Sequence, residues 1–131
     1  MQMLIQHWLQ KDRYFKTLAV FATVVVVYFS LKPPSPESKP WNIFFLRGDL
    51  ILHFCCYLVI HILYYFAFYT PQRAVLRAIV WSLLLGFVLE LAQLVPYFRR
   101  VFDFQDLLTN FFGVLTGTVL IRFLFPFSKE K

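Results

Sequence analysis

Four apolar stretches, each long enough to cross a bilayer, leave this chain very little choice of fold. With 60% hydrophobic residues, 17 Phe and only 15% charged residues among 131, so much apolar surface cannot be hidden in one small soluble core. In hydrocarbon each backbone N–H and C=O must find a partner within the chain, so the stretches are expected to be helices. They fall at residues 15–31, 50–69, 75–95 and 106–125. The expected fold is all-α, a polytopic membrane protein of four transmembrane helices in an antiparallel bundle, forming a single membrane domain over 1–131.

The net charge of +6 raises nucleic acid as a partner, but the basic residues sit at the ends of apolar runs and form no stripe. They read as helix anchors, and nucleic acid is excluded. Cys55 and Cys56 are adjacent in an apolar run, where helical geometry turns them about 100° apart, so a disulfide between them would be strained.

The first span holds no ionisable residue after Lys16. No small-residue cleavage motif follows it, and Lys32-Pro33-Pro34 is a poor start for a mature chain, so an uncleaved anchor is expected. Ahead of it, Leu4, Ile5, Trp8 and Leu9 recur at helical spacing against Gln6, Gln10 and Lys11, suggesting an interfacial tail over 1–14. The long connection, 32–48, opens with the proline-rich KPPSPESKP, which stiffens an extended segment. Trp41, Phe44 and Phe45 beside Asn42 and Arg47 then suit the headgroup layer. The other connections are short, and Thr70-Pro71 is suited to opening the third helix. Consecutive spans two to four are therefore expected as antiparallel neighbours.

Orientation follows the Lys and Arg beside the spans. One side carries Lys11, Arg13, Lys16, Arg73, Arg77, Arg122, Lys129 and Lys131, the other Lys32, Lys39, Arg47, Arg99 and Arg100. That bias places both termini in the cytoplasm and the 32–48 loop outside.

Ionisable groups at membrane depth cost ~2.5 kcal/mol or more and are usually kept for function or for a partner inside the bundle. Asp49, His53 and Tyr57 open the second span at i, i+4 spacing; Glu90 and Gln93 precede Pro96 at the end of the third; Asp106 and Asn110 open the fourth. All lie at the loop-side end, within a few turns of the interface, and each helix turns one polar face inward. Arg100 is expected to join them. Competing structural readings exist: Asp103 and Asp106 have N-cap and N3 spacing, and Gly113 and Gly117 form a small-x3-small packing stripe. His61 lies near mid-membrane without an obvious partner.

The order Asp49, His53, Phe54, Tyr57, then Glu90, Gln93, then Arg100, Asp106, Asn110, Gly113, Gly117 resembles the VanZ-like family of small bacterial membrane proteins over about residues 28–122. Leu50 stands where that family commonly has Lys. The resemblance implies a multi-pass protein of the bacterial cytoplasmic membrane with a link to teicoplanin-type glycopeptide resistance.

Three function classes suit such a cluster. In recognition, the leading one, Arg100 clamps a phosphate or carboxylate while Asp49, His53, Tyr57, Glu90, Gln93, Asp106 and Asn110 complete a site for an envelope lipid or lipid-linked precursor. In catalysis, Asp49 orients His53 as base or nucleophile on a lipid-borne phosphate or ester, with Glu90 the further candidate. Transport or proton handling needs more scaffold than four short spans, hence further copies of the chain. His53, Asp49, Glu90 and Asp106 offer metal-ligating types, but their spacing matches no named zinc motif, and no metal or cofactor is expected.

Overall fold

The computed structural model describes residues 3, 4, 7, 12–37, 39–69 and 73–125. The expected tail helix over 1–14 and the Thr70-Pro71 turn fall mostly outside these residues. Among the described residues the chain is an all-α membrane protein. Helices α1 (Asp12–Leu31), α2 (Gly48–Ala67), α3 (Ala74–Ala92) and α4 (Phe104–Leu124) are each long and apolar enough to span.

The ends follow local chemistry. α1 stops where Lys32-Pro33-Pro34 withholds the backbone donors that another turn needs. α3 stops at Ala92, three residues before the expected Val95, and Gln93 is its C-cap. The Pro96–Phe98 turn that follows has Arg99 in left-handed backbone at φ 51°. α4 begins at Asp103, whose side chain accepts from the Gln105 N–H at 2.8 Å, a regular N-cap. Within the 32–48 loop, strands β1 (Asn42–Ile43) and β2 (Leu46–Arg47) form a two-rung antiparallel hairpin. Its tip, Phe44 and Phe45, is 94% and 92% exposed, a placement that suits aromatic rings in a headgroup layer.

Consecutive helices run antiparallel, as expected. Phe15 of α1 stacks on Phe66 of α2 at 4.9 Å, and Thr23 Oγ1 lies 2.6 Å from the Tyr64 hydroxyl. The most extensive packing, however, joins α2 to α4, which run parallel. The Gly113-x3-Gly117 stripe makes that approach: a Cβ at Gly113 would meet Phe54 O at 2.5 Å and Leu58 N at 3.2 Å. Only a bare glycine admits α2 backbone so near.

The bundle has two unlike ends. Near the termini the core is apolar, with Phe15, Ile60, Tyr64, Tyr65, Val75 and Ile121. Toward the loop the buried groups are Glu90, Gln93, Asp106 and Asn110. His61 lies between the two ends with the partners that sequence spacing left unseen. Its Nδ1 is 3.3 Å from Ser82 Oγ on α3, and its Nε2 is 3.0 Å from Thr118 Oγ1 on α4. It therefore hydrogen-bonds three helices together at mid-depth.

Candidate functional site

α2, α3 and α4 each deliver one ionisable side chain to the same place. His53 comes from the second turn of α2, Glu90 from the last turn of α3 and Asp106 from the first turn of α4. One ligand-type atom from each lies within 4.8 Å of the others. Glu90 is 1% exposed and Asp106 8%, so both carboxyl groups are withdrawn from solvent.

Asn110 governs the imidazole. Its Oδ1 is 2.9 Å from His53 Nδ1, and an amide oxygen only accepts, so Nδ1 carries a proton and donates. In the neutral ring Nε2 then presents a lone pair. That lone pair faces Asp106 Oδ2 at 3.5 Å, acceptor against acceptor unless a cation or a proton lies between them. Among the described residues, Asp106 Oδ1 and Asn110 Nδ2 are buried with no hydrogen-bond partner. Glu90 Oε2 accepts from the Asp103 backbone N–H at 3.4 Å, tying α3 to the cap of α4.

Tyr57 is buried beneath this cluster, against Gly86 of α3, where an added Cβ would meet its ring at 3.1 Å. Above it, at the loop-side end of the bundle, is a second polar layer. Arg47 donates from Nε to Asp49 Oδ1 at 3.1 Å, and from Nη1 to Asp103 Oδ2 at 3.1 Å and Gln105 Oε1 at 2.9 Å. The hydrogen bond to Asp49 first, then that to Asp103, raises the guanidinium pKa above its ordinary value, so Arg47 stays charged.

Three placements differ from the sequence expectation. Asp49 does not orient His53; it accepts from Arg47 and from the Leu50 N–H, while His53 turns to α4. The i, i+4 spacing brought the two onto one face, but α4 carries better-placed acceptors. Arg100 does not join the cluster: its Nε donates to Lys32 O at 2.9 Å and its Nη2 to Phe29 O at 3.3 Å. Gln93 likewise donates from Nε2 to Ser30 O at 3.1 Å. Both serve the last turn of α1, whose carbonyls have no onward helix to bond and no basic residue of their own nearby in the helix.

Sequence reasoning overlooked the arginine that does attend the site. Arg47 read as a headgroup residue, although its place two positions ahead of Asp49 was the available signal. Asp103 was visible only as a capping position, and nothing in the spacing singled out Gln105.

Four carboxylates, Asp49, Glu90, Asp103 and Asp106, thus meet one guanidinium and one imidazole. Carboxyl groups outnumber basic ones, so the cluster offers more hydrogen-bond acceptors than donors. No curated protein and no solved structure matches the chain. The family model described as VanZ/LLP1 matches residues 5–125, nearly the whole length and a span that includes this cluster, and the chain belongs to that family.

Proposed function

We propose that this VanZ/LLP1 protein recognises the headgroup of a cell-envelope lipid or lipid-linked precursor at its loop-side polar cluster, on the outer side of the bacterial cytoplasmic membrane. The observation that carries this reading is the convergence of His53, Glu90 and Asp106 from three helices directly under the surface layer of Arg47, Asp49 and Asp103. A bundle needing only stability gains little from buried carboxylates, because replacing such groups by apolar ones is often neutral or stabilising. The excess of acceptors favours the hydroxyl and ammonium groups of a sugar or peptide headgroup. Arg100, engaged on α1, is no phosphate clamp. Engagement of an envelope precursor here is also how the protein would contribute to teicoplanin-type glycopeptide resistance.

The test couples a phenotype to a bound species. In a glycopeptide-sensitive Gram-positive host, the wild-type chain is expected to lower teicoplanin susceptibility, and Glu90→Gln and Asp106→Asn to abolish the effect while inserting and keeping near wild-type thermal stability in detergent with chelator present. Native mass spectrometry of the purified chain should show an envelope lipid adduct that both variants lose. Full resistance and an unchanged adduct in both variants would overturn the proposal.

A further inference from the structure

We propose that His53, Glu90 and Asp106 bind one divalent transition-metal ion of the zinc or manganese class. The proposal does not rest on headgroup recognition, since an ion held here could be structural. It starts from the mismatch between His53 and Asp106. With Nδ1 donating to Asn110, Nε2 offers a lone pair to a carboxylate 3.5 Å away, an arrangement that calls for a positive centre. The orphaned Asp106 Oδ1 is a second, separate sign, because a buried carboxylate oxygen is rarely left without a partner.

The donor set fits such an ion. Imidazole nitrogen suits zinc and its neighbours, carboxylate oxygen suits manganese and zinc, and two carboxyl groups that give up any proton on binding supply, with a neutral His, the charge that a divalent cation cancels. Metal bonds of about 2.0–2.2 Å set tetrahedral ligands roughly 3.4 Å apart. The three atoms, already within 4.8 Å, need only side-chain adjustment to close on an ion. Asn110 acts as an outer partner: a ligating His ordinarily donates its other N–H to a fixed acceptor, which sets tautomer and ring plane. Three protein ligands also leave a position open for water or an oxygen of a bound molecule.

The experiment uses the full chain in detergent, carrying no polyhistidine tag, stripped with a chelator and titrated with Zn²⁺ and then Mn²⁺ by calorimetry. One ion per chain is expected, accompanied by a rise in thermal unfolding temperature. Glu90→Gln and Asp106→Asn should each lose at least tenfold in affinity, and Asn110→Ala about ten- to a hundredfold. A His7→Ala, Glu37→Gln double variant, away from the cluster, should bind as wild type. X-ray absorption on the zinc-loaded wild type does not depend on any variant folding, and should give a nitrogen and oxygen shell only. A sulfur shell, which would move the ion to Cys55 and Cys56, overturns the proposal. So does the absence of stoichiometric uptake, which would leave a proton in the gap, or equal binding by the cluster variants, which would mean adsorption at surface groups only. Loss of metal with retained lipid adduct, or the reverse, separates this inference from the headgroup reading.

Discussion

At the scale of single residues, Asn110 decides what His53 can do, because its oxygen fixes which ring nitrogen is free. A double-mutant cycle between His53→Ala and Asn110→Ala, followed by thermal unfolding in detergent, is expected to give a coupling of about 0.5–3 kcal/mol, as for residues in direct contact. The cycle between His53→Ala and Asp49→Asn should be additive to within about 0.5 kcal/mol, since Asp49 bonds Arg47 instead. Strong coupling in the second cycle and none in the first would restore the Asp49–His53 pair. Much of the cluster was legible in sequence, where rise per residue placed His53, Glu90, Asp106 and Asn110 at one depth. Depth is a one-dimensional coordinate. Which side chain meets which depends on helix rotation and on the competition for acceptors, and that is why Asp49 and Arg100 were assigned to partners they do not have.

At the scale of elements, the parallel contact of α2 with α4 rests on glycine. Gly113→Ala is expected to destabilise by about 1–3 kcal/mol, read as a fall in unfolding temperature, because the new methyl meets immovable backbone at Phe54. Gly86→Ala should cost less: its nearest neighbours, the Asn110 amide and the Tyr57 ring at 3.1 Å, are side chains that can yield. Equal losses would show that backbone contact is not what limits the approach. The small-x3-small spacing is readable in the sequence, but the identity of the partner helix is not. Short connections name the neighbour in sequence, whereas the closest neighbour in space is the one whose backbone a glycine admits. Arg100 and Gln93 show the same gap, since nothing in α1 itself announced that its final carbonyls needed donors from elsewhere.

At the scale of the whole molecule, the four-helix membrane fold followed from hydropathy and length alone, because the bilayer allows so few alternatives. The expected orientation rests on the distribution of Lys and Arg alone, and cysteine accessibility measures it directly. In a chain with Cys55 and Cys56 replaced by Ser, a membrane-impermeant maleimide is expected to label Ser38→Cys and Arg99→Cys on intact cells, and to leave Gln72→Cys and Lys129→Cys unlabelled until the cells are opened. The opposite pattern would turn the acidic cluster to the cytoplasm and remove the envelope headgroup as its ligand.

The parallel pairing of α2 with α4 also fixes when the cluster can exist during synthesis. His53 leaves the ribosome more than fifty residues ahead of Asn110, which supplies its acceptor. Until α3 has crossed back and α4 has followed, His53 and Glu90 enter the bilayer without Asp106 or the glycine face that draws α2 in. Half-made chains therefore carry polar groups in lipid that still lack their partners from α4. Assembly of the site and completion of the fold are the same event, so a chain arrested before Asp106 has its first three helices and no site.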